Sequence, residues 1–143
     1  MSVKQLTIWM VNEPGSMVRA INVLHKAGIN MRALSLSENS TRGILNLIVD
    51  KPSEALAALQ DADEDAKLTE VIAAEIGDAP GALADVAAIV AQAGVNVEYM
   101  YAFTTPKTNS ACIIMLVDDT QKASAVLGKA GVKLMDEREV YQL

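Results

Sequence analysis

The chain has 143 residues, 51% of them apolar and 3% aromatic, with a net charge of −6 and one cysteine, Cys112. That is enough for one medium core or two small ones built from Ala, Val, Ile, Leu and Met, and an acidic balance without a clustered basic run excludes nucleic acid and an anionic membrane surface as main partners. A lone cysteine excludes an internal disulfide framework, and with neither a signal-peptide layout at Met1–Val11 nor an apolar run near the ~20 residues that span a bilayer, a soluble cytoplasmic protein is expected.

Leu6 to Val11 is a short apolar run of strand formers, stopped by Asn12-Glu13-Pro14-Gly15. Met17, Ala20, Ile21 and Leu24 then recur at helical spacing, which predicts a helix over Ser16 to Lys26. Pro14 suits the start of that helix and Gly28 its left-handed stop. Asn30 to Ser37 and Gly43 to Asp50 follow as strands joined by the polar stretch Glu38 to Arg42. Pro52 opens a second helix with Ala55, Leu56 and Leu59, and Lys67 to Val71 is the fourth strand. The order then repeats. Val71 to Ile76 is a strand, Leu83, Val86, Ala87 and Val90 stripe a helix stopped by Gly94, and Asn96 to Phe103 and Ser110 to Val117 are strands. Thr120 to Leu127 is a helix, and Lys133 to Tyr141 reads as a closing strand.

The repetition is literal. Asn12-Glu13-Pro14-Gly15 and Ala27-Gly28-Ile29-Asn30 return 66 residues later as Asp78-Ala79-Pro80-Gly81 and Ala93-Gly94-Val95-Asn96. The loop Thr104 to Asn109 is longer than its counterpart, so the offset becomes 68 at Val49/Val117. A fixed period defines the structural unit. Two βαββαβ units are expected, residues 1–69 and 70–143, giving an α+β fold of antiparallel sheets with helices on one face. The run Ala111 to Val117 is apolar without alternation, and Ile44 to Val49 nearly so. A sheet with one wet face should alternate. A second copy covering the other face, a homodimer through sheet faces, is the simplest expectation.

The chain has little to catalyse with. Its one histidine, His25, has no Cys or Asp motif partner, and Cys112 lies in an apolar run where a thiol behaves as a small hydrophobe. The acidic cluster Asp61, Asp63, Glu64 and Asp65 lacks calcium-loop spacing. Neither a phosphate-binding glycine motif nor a cofactor is indicated. Tyr99 and Tyr101 share one face of a strand, where packing is the common role. The repeated turn is different. Asn/Asp-x-Pro-Gly places a polar side chain beside a helix start whose first N–H groups are unpaired and can hold a small carboxylate. Asn30 or Asn96 follows eighteen residues later. Both parts are expected at the same end of the unit, where amide oxygens beside the helix start would suit an amino acid's ammonium. Asn, Pro and Gly are equally plain turn and cap residues, so spacing alone leaves both readings open.

Asn-Glu-Pro-Gly, a helix, then Ala-Gly-Ile-Asn within βαββαβ resembles the ACT domain, an amino-acid-sensing module attached to phosphoglycerate dehydrogenase, aspartate kinase and the regulatory subunit of acetolactate synthase. The chain is most similar to stand-alone bacterial proteins made of two such domains. The resemblance implies a ligand such as serine, lysine or a branched-chain amino acid, bound where units abut. It nominates Asn12, Pro14, Gly15 and Asn30 in the first repeat and Asp78, Pro80, Gly81 and Asn96 in the second. Met10 stands where the phosphoglycerate dehydrogenase version has a histidine, which tilts the first site towards an apolar ligand side chain. An aspartate at 78 would repel a ligand carboxylate, so the Asn12/Asn30 site is the stronger expectation. The expected function is an amino-acid sensor or regulatory subunit rather than an enzyme. The alternative is a ligand-free pair that acts as a subunit of a separate metabolic enzyme.

Overall fold

The structure is a computed structural model and describes residues 2–39, 41–105 and 109–142. Its elements run β1 (Val3–Val11), α1 (Ser16–Lys26), β2 (Met31–Glu38), β3 (Arg42–Val49), α2 (Pro52–Asp61), β4 (Asp65–Gly77), α3 (Ala82–Gln92), β5 (Val97–Thr104), β6 (Ser110–Val117), α4 (Thr120–Lys129), β7 (Lys133–Leu134) and α5 (Glu137–Tyr141). The chain divides into a unit of Lys4–Thr69 and a unit holding Glu70–Tyr141, so β4 contributes residues to both.

In the first unit β1 and β2 each pair antiparallel with β3, with Thr7 opposite Asn46 and Leu36 opposite Leu45. The strand order is β2-β3-β1-β4, leaving β2 at the edge. Leu6, Ile8 and Met10 alternate onto one face and pack with Leu45, Leu47 and Val49 against Ala20 and Leu24 of α1 and Ala55 and Leu59 of α2. In the second unit β4 pairs with β6, β6 with β5, and β7 with β4, all antiparallel. Ile72, Ala74, Ile113 and Met115 form its core with Val86 and Val90 of α3 and Ala123 and Leu127 of α4. Tandem βαββαβ units with helices on one face of antiparallel sheet are thus what the periodicity predicts.

The repeats share backbone devices. Gly15 and Gly81 precede α1 and α3 with φ of 92° and 89°, and Gly28 and Gly94 follow those helices with φ of 71° and 74°. These are left-handed conformations that glycine adopts without a Cβ penalty. β2 and β5 each carry a register shift at their start, between Met31 and Ala33 and between Val97 and Tyr99.

Two expectations need correction. Gly15, not Pro14, caps α1, because its left-handed backbone makes the bend that admits the chain to the helix. The closing strand stops at Leu134, and Met135 adds one more bond to Ala73 O. Asp136 then starts α5. Its Oδ1 accepts from Glu139 N at 2.8 Å while Glu139 Oε2 accepts from Asp136 N at 2.9 Å. That reciprocal capping box outcompetes strand continuation. Ile48, Cys112 and Ile114, which alternate away from the helix-facing cores, are buried as well. Residues 106–108 of the loop expected over 104–109, and residue 40 of the 38–42 connection, lie outside the described residues.

Candidate functional site

The turn after β1 is built by its backbone. Glu13 N donates to Val11 O at 2.9 Å and Ser16 N to Glu13 O at 3.3 Å, and the first helical bond runs from Arg19 N to Gly15 O. The N–H groups of Met17 and Val18 precede that bond, so they have no carbonyl a turn back within the helix and point out of its N-terminus. Asn12, Glu13, Pro14 and Gly15 line a cavity of about 270 Å³ together with Met10, Ser16 and Leu36. Asn12 Nδ2 donates to Glu38 Oε2 at 2.7 Å, joining the end of β1 to the end of β2. Ser16 is buried, at 2% exposed, and its Oγ has no hydrogen-bond partner among the described residues. Sequence reasoning passed over Ser16, although Ala82 at the corresponding position marks it as a difference between the repeats.

Asn30 is not part of this cavity. Val11 lies opposite Arg42 and Glu38 opposite Gly43, whereas β2 begins with Met31 opposite Val49. Asn12 and Asn30 therefore stand at opposite ends of the strands, separated by roughly 20 Å at about 3.3 Å per strand residue. The expectation of a shared end fails for a topological reason. α1 carries the chain back to where β1 began, so β2 starts at the far end from Asn12. Asn30 instead exchanges hydrogen bonds with Asp50. Asn30 N donates to Asp50 Oδ1 at 2.9 Å, and Asp50 N to Asn30 O at 3.1 Å.

The second unit repeats the framework. Ala82 N donates to Ala79 O and Asp85 N to Gly81 O. Asn96 N donates to Asp118 Oδ1 at 2.9 Å and Asp118 N to Asn96 O at 3.1 Å. Asp78 and Asn96 are again at opposite strand ends, since β4 ends with Gly77 opposite Ser110 and β5 begins with Val97 opposite Val117. Asp78, Pro80, Gly81 and Asn96 are exposed. A cavity of about 770 Å³ in this unit runs along α3 and past Glu75, Ser110 and Lys133, and none of those four residues lines it.

The remaining candidates have structural places. His25 is exposed in the last turn of α1, where a basic residue suits the helix dipole. Glu64 and Asp65 pair with Arg19 and Arg42. Burial raises the Cys112 thiol to about 12, with Glu75 adding to the shift. Burial also raises the Tyr101 phenol, with Tyr99 contributing next.

This arrangement defines a class: paired βαββαβ units, each with a Pro-Gly turn feeding a helix start. The family profile of the ACT domain pair matches residues 1–143, and the chain belongs to that family. A crystal structure of a protein from Bacteroides thetaiotaomicron is similar at 35% identity, with a TM-score of 0.93, over 100% of this chain and 98% of that one. The ligand-free regulatory subunit of aspartate kinase from Thermus thermophilus shares the fold at 20% identity and a TM-score of 0.63, covering 91% of each chain. The corresponding subunit from Thermus flavus does so at 18% identity and a TM-score of 0.60, covering 90% of this chain and 92% of that one. No curated protein gives a significant match. Among the described residues, no helix is long and apolar enough to cross a membrane, and no group of three or more His, Cys, Asp or Glu could hold a metal ion.

Proposed function

We propose that this ACT pair is a regulatory protein that binds a small amino acid at the Asn12–Gly15 turn and is not an enzyme. The observation that carries the reading is the cavity of about 270 Å³ between that turn and the start of α1. It lies just below the ~300–1,000 Å³ of drug-sized sites, a fit for a single amino acid. Helix N–H groups suit the carboxylate, and Glu13, Glu38 and the Asn12 side-chain oxygen suit the ammonium.

The opposite-end placement of Asn12 and Asn30 adds a second element to the proposal. Two copies whose β2 edges pair antiparallel about a twofold axis would bring the Asn12 end of one against the Asn30 end of the other. Leu34 and Leu36, 59% and 53% exposed on that edge strand, would be covered in the process. Asn12, Pro14, Gly15 and the partner's Asn30 would then surround one ligand, and occupancy would couple to assembly. Asp78, Pro80, Gly81 and Asn96 occupy the corresponding positions of the second unit.

Thermal unfolding against the twenty amino acids at millimolar concentration tests this, with Asn12→Ala and Asn30→Ala alongside and the mass in solution measured by sedimentation. A ligand at a hundred times its dissociation constant stabilises by about 2.7 kcal/mol, which raises the midpoint by several degrees. The expected result is a shift with one or a few amino acids, lost in both variants, on a dimer. No shift with any of them favours the other reading, a ligand-free pair that serves a separate metabolic enzyme.

A further inference from the structure

A buried hydroxyl without a partner is costly, because it has given up water and gained nothing. Ser16 Oγ is such a group, and Ser16 is in the wall of the cavity at the start of α1. Folding alone does not call for it. The second repeat builds the same helix start with Ala82, whose N–H donates to Ala79 O as Ser16 N does to Glu13 O. The other lining residues of the cavity include Met10, Met17, Val18 and Leu36. The two methionines are unbranched and can rearrange to admit a guest.

We infer that Ser16 is the specificity-determining donor of a ligand site present once per chain, in the first unit only, and that its ligand is an α-amino acid with a compact apolar side chain. This rests on the amino-acid-binding reading above and deepens it. The hydroxyl donates to one carboxylate oxygen, the Met17 and Val18 N–H groups face the same carboxylate, and the ligand side chain lies among Met10, Met17 and Leu36. Its ammonium faces Glu38, whose carboxylate already accepts from Asn12 at 2.7 Å. The second unit has alanine at 82 and aspartate at 78, so it lacks the hydroxyl and sets a negative charge beside the carboxylate position.

Titration calorimetry with leucine, isoleucine, valine and methionine, and with lysine and aspartate as contrasts, tests the inference on wild type, Ser16→Ala, Ser16→Thr and Gly43→Ala. The expected stoichiometry is one amino acid per chain, with an apolar amino acid preferred. Ser16→Ala should bind about ten- to a hundredfold more weakly, the loss of one hydrogen bond to a charged group. Ser16→Thr keeps the hydroxyl and should recover most of that loss. A Cβ at Gly43 would stand 3.3 Å from Met10 Cγ and press that side chain towards the cavity, so Gly43→Ala should also weaken binding. Melting without ligand separates this from a structural role. Ser16→Ala removes an unpaired buried hydroxyl, so its midpoint should hold or rise, whereas a structural serine would lower it. Two ligands per chain, or Ser16→Ala binding within twofold of wild type, overturns the inference and leaves amino-acid binding standing. Wild type binding no amino acid overturns both.

Discussion

The first unit contains a buried polar triangle whose disruption has a magnitude that can be worked out. Gln5, Thr7 and Asn46 are 0%, 4% and 5% exposed and interrupt otherwise apolar stretches of β1 and β3. Gln5 Nε2 donates to Thr7 Oγ1 at 3.0 Å and to Asn46 Oδ1 at 3.2 Å, and Thr7 Oγ1 donates to the same Asn46 oxygen at 3.0 Å. Asn46→Ala removes the acceptor of two buried donors. Gln5 keeps its bond to Thr7, so the Thr7 hydroxyl is the donor that loses its acceptor, and the loss is about 1–3 kcal/mol. For a chain of this size, about 3 °C per kcal/mol places the fall in melting midpoint at roughly 3–9 °C. Replacing all three with apolar residues of similar shape, Gln5→Met, Thr7→Val and Asn46→Leu, removes these donors together with their acceptor and should recover at least half of that loss. Urea unfolding of wild type, single and triple variants gives both quantities. A single variant within about 0.5 kcal/mol of wild type, or a triple variant no more stable than the single, would refute the claim that these groups are held by one another.

Gly15→Ala and Gly81→Ala should each destabilise by about 1–2 kcal/mol, because a left-handed backbone strains any residue with a Cβ, while the added Cβ meets nothing within 4 Å. Gly128→Ala, inside α4 and equally unobstructed, should stabilise by about 0.5–1 kcal/mol, and urea midpoints in the reverse order would contradict the backbone argument. Cys112 is buried with a pKa raised from 9.0 to about 12, so its labelling at pH 8 by a disulfide reagent should be slow in the folded protein and complete, at one thiol per chain, in denaturant. Between those two values the folded chain keeps a proton that the unfolded chain releases, so stability should fall as pH rises through that window. Native labelling within tenfold of a free thiol would show that the site is open.

The fold was legible because its punctuation is strong. Pro-Gly before α1 and α3, and Gly28 and Gly94 after them, mark the same turns twice at one offset, and each glycine has the positive φ that explains its presence. α5 was hidden because Lys133 to Tyr141 carries weak periodicity, and the decisive Asp136-x-x-Glu139 box is a local signal of four residues. The Asn12 turn was visible as a motif, but its relation to Asn30 depends on which way α1 returns the chain, and a linear pattern invites the wrong end. Ser16 was invisible for another reason. A serine opening a helix normally reads as a cap, and it is burial with no bond to its oxygen that gives its difference from Ala82 a meaning.

Duplication also separates what the fold needs from what the site needs. Positions kept in both halves are backbone devices: the left-handed glycines, the bond from the first helical N–H to the turn carbonyl, and the pairs Asn30–Asp50 and Asn96–Asp118. Positions that differ are side chains with separate uses. Lys67 lies 5.3 Å from the centre of the Trp9 ring, whereas Glu75, the counterpart of Trp9, pairs with Lys133 at 3.0 Å. A cation–π contact in one half thus corresponds to an ion pair in the other. Around the turn the exchanges are Asn12 for Asp78, Ser16 for Ala82 and Leu36 for Ala102. All three residues from the first half line one cavity. If those differences were drift, moving the second-half residues into the first half should leave ligand response unchanged. A triple variant Asn12→Asp, Ser16→Ala, Leu36→Ala should instead keep the fold, since each residue is accommodated at its counterpart position, and lose the thermal shift with amino acids. A triple variant that retained the full shift would return the two halves to equivalence.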